Sequence, residues 1–189
     1  DLETGIRNMA KQMPQSATEI AGVAEQAGKL GIQKDNILDF TRVMLDLGTS
    51  TDLSADQAAD ALAQLANITG MSQEDFGRMG SSIVDLGNNF ATTESKIVDM
   101  GLRLAGTSGQ VGMSESDMLA LATAMSSVGI NAEAGGSSMS RVMQKINSAV
   151  LSGGDNLNQF ASVAGVTADD FSKTTGEAVL RPPYAAQKR

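Results

Sequence analysis

The sequence of 189 residues predicts an all-α fold, an irregular array of about nine short capped helices stacked as helical hairpins. Apolar residues recur every three or four positions, and no segment alternates apolar and polar residues over the length of a strand. Glycine, an apolar residue and then serine or threonine recur between the apolar stripes. A looser echo returns after about 40 residues, the length of a two-helix repeat.

The apolar stripes and their flanking residues place the helices in order along the chain. We predict them near 2–13, 16–30, 35–47, 54–68, 72–89, 93–105, 114–128, 135–151 and 156–175, the last broken at Gly165. The stripes are Ile37, Phe40, Met44 and Leu47; Ala58, Ala61, Leu62 and Leu65; Phe76, Met79, Ile83, Leu86 and Phe90; Ile97, Met100, Gly101 and Leu104; Met118, Leu121, Ala122 and Met125; and Met139, Val142, Met143, Ile146 and Val150.

Three similar phrases, GMSQEDF, GMSESDM and GVTADDF, begin at Gly70, Gly112 and Gly165. Glycine closes a helix at low conformational cost, and the following serine or threonine caps the next helix. The apolar residue before the cap pairs with the fourth helical residue as a hydrophobic staple. Leu53-Ser54 is a weaker version, and Ser16 with Glu19 forms a capping box without a staple. The predicted caps and staples are Ser16, Ser54, Met71, Ser72, Phe76, Met113, Ser114, Met118, Val166, Thr167 and Phe171.

The echo and the composition suggest three segments. VMLDLG ends at Gly48 and SIVDLG at Gly87, 39 residues later, as expected for stacked helical hairpins. We predict an N-terminal helical segment over 1–33 and a helical domain over 34–175. Residues 176–189 hold two of the three prolines and the single tyrosine, and we predict a tail that is either disordered or not native to the domain.

The composition excludes several functions. With no cysteine and no histidine, the chain has no disulfide, no His-based catalytic relay and no ordinary zinc site. A net charge of −8 makes nucleic acid and anionic membrane surfaces poor partners for this segment. No apolar run reaches the roughly 18–20 residues that span a bilayer, and the N-terminus has no signal-peptide pattern. We assign no catalytic residue, no cofactor and no metal ligand.

Acidic clusters are the only candidates for catalysis. Glu74-Asp75, Glu115 with Asp117, and Asp169-Asp170 each follow a capping residue, where carboxylates complete the cap and favour the helix dipole. Glu94 at a predicted helix start is harder to assign, but it has no obvious partner. Alanines between 58 and 66 indicate close helix contact, and whether that contact lies within the fold or with another subunit stays open.

Three stretches resemble the conserved core region of phage tail tape measure proteins, minor tail proteins of long-tailed phages and prophages. They are STDLSADQAADALAQLANITGMS (50–72), MLALATAMSSVGI (118–130) and AGGSSMSRVMQKI (134–146), and the resemblance spans roughly 35–175. It implies a structural virion protein that acts in tail assembly, tail length determination and DNA delivery. The implied locations are the interior of the tail and, during assembly, the host bacterial cytoplasm.

The resemblance also implies partners, namely the tail tube protein, tail assembly chaperones and distal tail or baseplate proteins. It supplies no catalytic residue. Because the short capped helices predict a compact domain, we expect this segment to be a folded module rather than the extended ruler. Two alternatives stay open: a helical cell-wall lytic module resembling peptidoglycan hydrolases, and a generic α-helical interaction scaffold.

Overall fold

The computed structural model describes residues 1–173, which form nine α-helices and two short 3-10 turns before a further helix begins at 168. The α-helices are α1 (Leu2–Met9), α2 (Ala17–Lys29), α3 (Ile37–Ser50), α4 (Ala55–Thr69), α5 (Phe76–Asn89), α6 (Glu94–Ser108), α7 (Glu115–Ser127), α8 (Ala132–Ser152) and α9 (Asp155–Ala164). The turns Lys34–Asn36 and Gln73–Asp75 precede α3 and α5. No strand occurs between residues 1 and 173, and the all-α class is confirmed.

The helices stack in two layers. Helices α1, α3, α5 and α7 form the odd layer, and α2, α4, α6 and α8 form the even layer. Each helix contacts the next helix of its own layer, and most also contact their neighbour along the chain. Helical hairpins stacked in this way form an α-solenoid, in which each repeat packs mainly on the adjacent ones. Helix α9 follows and packs against α8.

The repeat is more regular than the sequence echo indicated. Helices α3, α5 and α7 begin at residues 37, 76 and 115, 39 residues apart, and the even helices begin at 17, 55, 94 and 132, which are 38 or 39 apart. Core residues follow the same spacing. Equivalent positions in the odd layer are Phe40, Met79 and Met118; Met44, Ile83 and Ala122; and Leu47, Leu86 and Met125. Those in the even layer are Ile20, Ala58 and Ile97; Ala24, Leu62 and Gly101; and Ala27, Leu65 and Leu104.

Both small and aromatic side chains pack in this core. Helix α4 buries five alanines beside Leu62 and Leu65, and such short side chains let neighbouring helices approach closely. The rings of Phe40 and Phe76 meet edge to face, with centroids 4.7 Å apart, in the geometry that the ring quadrupoles favour.

The glycines at the ends of VMLDLG and SIVDLG, Gly48 and Gly87, do not end their helices. Helix α3 continues through Gly48 to Ser50, and α5 continues through Gly87 to Asn89. A Cβ atom at residue 48 would lie 2.8 Å from the backbone nitrogen of Ala55, and one at residue 87 would overlap the carboxylate of Glu94. These glycines therefore serve close approach to the next helix rather than helix termination.

Other helix ends differ from the prediction for local reasons. Helix α1 ends at Met9, because Lys11 and Gln12 bond to carbonyls three residues back and so form a tighter turn before Pro14. Helix α6 continues to Ser108, three residues past the predicted end at 105. Helix α8 begins at Ala132, where Asn131 caps it, so the glycines of the AGGSS stretch lie inside the helix.

The core is continuous across the predicted boundary at residue 33. Met9, Ile20 and Ala27 belong to the same buried cluster as Phe40 and Met44, and α2 contacts both α3 and α4. The division into 1–33 and 34–175 stays a prediction. The predicted tail over 176–189 lies outside the described residues.

Candidate functional site

The first repeated phrase is a helix boundary in which stop and cap adjoin. Gly70 has a φ of 72°, a left-handed conformation that glycine adopts without a Cβ penalty. The Met71 N–H donates to the Ala66 carbonyl at 3.1 Å, which is the six-to-one bond of a Schellman motif. The Ser72 hydroxyl oxygen accepts from the Glu74 N–H at 3.4 Å and caps the 3-10 turn that leads into α5.

The other two phrases repeat the left-handed glycine and the six-to-one bond, but only Gly165 directly follows its helix, whereas Gly112 lies four residues after the end of α6 at Ser108. After Gly112, the Met113 N–H donates to the Ser108 carbonyl at 2.9 Å. After Gly165, the Val166 N–H donates to the Ala161 carbonyl at 3.1 Å. Ser114 accepts from the Asp117 N–H at 3.2 Å, and Thr167 accepts from the Asp170 N–H at 3.1 Å. Equivalent bonds follow two glycines outside the three phrases, from Ile32 to Ala27 and from Ile130 to Met125.

The predicted staple residues lie in two environments. Met71 and Met113 are partly buried and pack against the cluster that contains Phe76 and Met118. Val166 is 47% exposed, and the half-buried Phe171 instead stacks on Phe160, with ring centroids 6.4 Å apart. Pairwise stapling stays a prediction in all three cases.

Ser16 and Ser54 each form a reciprocal capping box. The Ser16 hydroxyl oxygen accepts from the Glu19 N–H, while the Ser16 N–H and O–H donate to the Glu19 carboxylate at 2.8 and 2.7 Å. These bonds from Ser16 hold the pKa of Glu19 below its ordinary value. Ser54 and Gln57 make the corresponding pair at the start of α4.

Two further caps come from distant parts of the chain and were not predicted. The carboxylate of Asp52, in the α3–α4 connection, accepts from the Ser95 N–H at 2.9 Å and from its hydroxyl at 2.6 Å. Burial raises the pKa of Asp52, but hydrogen bonds from Ser95 and Thr93 outweigh it, and the pKa lies below its ordinary value. Asp52 thus ties the start of α6 to the preceding repeat.

Gln73 makes a similar tie between two other repeats. Its side-chain carbonyl accepts from the Gln33 N–H at 2.7 Å, and its amide donates to the Gly31 carbonyl at 3.2 Å. The partners are about 40 residues apart, as are Asp52 and Ser95. A pairing over a full repeat leaves no local pattern in the sequence, so the residues around Asp52 and Gln73 do not reveal these contacts.

The acidic clusters are engaged at helix starts rather than grouped around a common centre. Asp117 accepts from the Ser114 hydroxyl at 2.6 Å, and Asp75 pairs with Arg78 at 3.2 Å. Asp169 pairs with Lys173 one turn along the helix. Within residues 1–173 no three acidic side chains are grouped closely enough to hold a metal ion.

Glu94 is the first residue of α6 and is buried against Gly87. Its position at a helix N-terminus suits a carboxylate, because the backbone N–H groups there carry partial positive charge. None of the other acidic candidates forms a described contact with it. The carboxylate that the structure brings to this helix start is that of Asp52, which accepts hydrogen bonds from the adjacent residue Ser95.

An open cleft of about 550 Å³ crosses three repeats on the surface of the even layer. Helices α4, α6 and α8 all contribute to it, and its lining includes Gln64, Ile68, Asp99, Arg103, Asn131 and Glu133. The lining has charged and amide groups but no aromatic ring on which a sugar would stack. Solenoid proteins bind their partners on extended surfaces that span adjacent repeats.

Among the described residues, no helix combines the length and the hydropathy required to span a membrane.

Comparison with known families and proteins shows what the chain is similar to. The profile of the family described as "Phage-related minor tail protein" matches residues 3–181, beyond the start of the predicted tail. A "Probable tape measure protein" of Halomonas phage phiHAP-1 is 24% identical over 138 residues, which cover 69% of this chain. The aligned region is 16% of that relative, so the chain spans about a sixth of its length. No solved structure matches the chain.

Proposed function

The chain belongs to the family of phage-related minor tail proteins, and we propose that it is a folded structural module of a tape measure protein. The family match over 3–181 carries the proposal, and the name of the phiHAP-1 relative supports the more specific role. In this role the module acts in tail assembly and DNA delivery. It resides inside the tail in the virion and in the host cytoplasm during assembly.

The fold favours a module over a ruler. A single continuous helix of 189 residues would extend roughly 280 Å, at 1.5 Å per residue. In a stacked solenoid each hairpin adds only one helix-to-helix distance, about 8–10 Å. The same residues therefore cover a small fraction of the length that an uncapped helix would measure.

The partners that fit this role are other tail proteins: the tail tube protein, the tail assembly chaperones and the distal tail or baseplate proteins. The cleft across α4, α6 and α8 offers charged groups of both signs, Asp99, Glu133 and Arg103, for such a contact. Family membership favours this structural role over the lytic alternative. The contacts of the acidic candidates also favour it, because these side chains form helix caps and ion pairs about one turn apart.

Tail length in a phage that encodes this chain tests the proposal. We delete the codons for 35–175 in frame and measure tails by electron microscopy, with deletion of one repeat, 55–93, as the companion. We expect the large deletion to abolish assembly or infectivity and the one-repeat deletion to leave tail length unchanged. Infectious particles with tails about 210 Å shorter after the large deletion would identify the segment as part of the ruler and refute the module.

A further inference from the structure

Successive even helices pack in a register that can be counted from the capping residue of each helix. The caps, taken as position 0, are Ser16, Ser54, Thr93 and Asn131. A Cβ atom at Gly136 in α8 would lie 2.5 Å from that of Arg103 in α6, and the Ser140 hydroxyl donates to the Arg103 carbonyl at 3.4 Å. Position 10 of one even helix therefore lies between positions 5 and 9 of the next.

The α4–α6 contact has the same register. Leu65 at position 11 of α4 lies against Gly101 at position 8 of α6. Residues four apart share one side of a helix, so position 14 of one even helix lies between positions 9 and 13 of the next. The register therefore predicts which residues meet wherever this contact is repeated.

Helix α8 exposes the side that the preceding even helices turn toward their successors. Ser138, Arg141, Val142 and Lys145, which we call the trailing face of α8, are at positions 7, 10, 11 and 14 and are all exposed. Val142 is 43% exposed, although α9 packs against the same helix. The residues at positions 7 and 11 of the earlier helices are buried, namely Ala61, Leu65, Met100 and Leu104.

Helix α2 exposes the opposite side, which the later even helices turn toward their predecessors. Ala21, Glu25 and Gly28, which we call the leading face of α2, are at positions 5, 9 and 12 and are exposed. The residues at positions 5 and 12 of the later helices are all buried, namely Ala59, Ala66, Val98, Ala105, Gly136 and Met143. The two ends of the even layer thus present the two halves of one helix contact.

The charges of the two faces are complementary in this register. Arg141 and Lys145 at positions 10 and 14 of α8 flank position 9, which is Glu25 in α2. Neither basic residue forms an ion pair within residues 1–173, and the Arg141 Nε donates only to the Ser137 carbonyl, at 3.3 Å. Glu25 pairs with Lys29 at the exposed surface, where such a pair contributes little to stability. Its carboxylate can therefore accept further donors.

We propose that the trailing face of α8 docks on the leading face of α2 in a second copy of this chain, so that the even layer continues from one copy into the next. The contact repeats the α4–α6 and α6–α8 interfaces. Arg141 and Lys145 flank the second copy's Glu25, and Val142 packs against the second copy's Ala24, at position 8. Because the two faces are different surfaces, the contact is heterologous and adds copies end to end. The inference goes beyond the proposed function and does not depend on it.

Sedimentation velocity of the purified chain over a range of concentrations tests this contact. We expect the average sedimentation coefficient to keep rising with concentration beyond the value of a dimer. Arg141→Glu sets a carboxylate beside Glu25, and we expect the apparent Kd to rise at least about tenfold. Lys96→Glu, at an exposed residue of α6 outside both faces, is the control. It makes the same change in net charge and should leave Kd within about twofold.

Two substitutions in α2 should change Kd against the trend of net charge. Glu25→Arg makes this acidic chain less negative, which by itself favours association. It also places a third basic group beside Arg141 and Lys145, so we expect Kd to rise at least about tenfold. Lys29→Glu, at position 13, makes the chain more negative but sets a carboxylate beside Lys145, and we expect Kd to fall about two- to fivefold.

Far-UV circular dichroism of each variant checks that the helix content is unchanged. A chain that stays monomeric at every concentration would refute the contact. Association that stops at a closed dimer, or Kd values for the two α2 variants that follow net charge, would equally overturn it.

Discussion

Thr41 is fully buried in α3, and its hydroxyl oxygen has no hydrogen-bond partner among the described residues. An unpaired buried hydroxyl loses its hydration without compensation. Thr41→Val replaces it with a methyl group of similar volume, and we expect the free energy of unfolding to rise by about 1 kcal/mol. Urea denaturation followed by circular dichroism measures the change.

Thr123 is the matched control for this prediction. It is equally buried, in α7, but its hydroxyl donates to the Leu119 carbonyl at 2.8 Å. Thr123→Val loses that bond, so we expect no gain in stability. A gain of the same size in both variants would show that the valine methyl group, and not the unpaired hydroxyl, decides the result at residue 41.

Asp52 makes the stability of the chain sensitive to acid. Its pKa in the folded protein lies below the ordinary value of 3.8, so its stabilising effect is complete above that pH and is lost as the pH falls through the folded pKa. Asp52→Asn removes the charge-assisted bonds to Ser95, and we expect a loss of about 1 kcal/mol at neutral pH. The difference from the wild type should shrink below pH 3.8.

Urea midpoints at neutral pH and near the lower limit of folding test this pH dependence. Asp46→Asn, at an exposed carboxylate of α3, is the control and should stay within about 0.5 kcal/mol of the wild type at neutral pH. A penalty for Asp52→Asn that is constant over the whole pH range would argue that packing, rather than the ionised carboxylate, holds α6.

At the scale of helices, the same residue type has opposite effects in α2 and α3. A Cβ atom on Gly48 would meet the backbone of Ala55, which cannot move without shifting α4, so Gly48→Ala should destabilise by about 1–3 kcal/mol. Gly22 in α2 has no atom within 4 Å of an added Cβ, and Gly22→Ala should stabilise by about 0.5–1 kcal/mol. Thermal unfolding of the two variants gives the signs directly, and a Gly48→Ala variant as stable as Gly22→Ala would contradict the close approach of α3 and α4.

The glycines also show how far the sequence determines the elements. Gly70, Gly112 and Gly165 could be interpreted in advance, because stop and cap lie within a few residues of one another. Gly48 and Gly87 occupy similar phrases, but their role depends on Ala55 and Glu94 across a helix contact. Local chemistry fixes the boundaries, whereas close approach depends on a neighbour that only the stacked fold brings near.

The long-range contacts of Asp52 and Gln73 in the candidate site likewise could not be predicted from the sequence. Each side chain bonds to a segment about one repeat away, and its own flanking residues contain no signal of that partner. The capping boxes of Ser16 and Ser54 join residues three positions apart, so their spacing is visible in the sequence.

For the whole molecule, the 39-residue spacing predicts which deletions the fold tolerates. Removing 55–93 deletes α4 and α5 and joins Ser54 to Glu94, so that one cap replaces another and the alternation of layers is kept. Because each repeat of a solenoid packs mainly on its neighbours, the shortened chain should remain helical and unfold cooperatively at a lower urea concentration. Far-UV circular dichroism measures the helix content, and urea denaturation measures the cooperativity and midpoint of unfolding.

The control removes only half a repeat. Deleting 55–75 joins Ser54 to Phe76, which keeps the capping serine but places two odd-layer helices, α3 and α5, in succession. Each helix after the junction then falls in the layer opposite to its own. The apolar stripes that contain Phe40, Met79 and Met118 therefore no longer face one core. We expect the cooperative transition to be lost, although fewer residues are missing than after the whole-repeat deletion. If the half-repeat variant unfolds as cooperatively as the whole-repeat variant, the paired-helix unit of 39 residues is not what organises this fold.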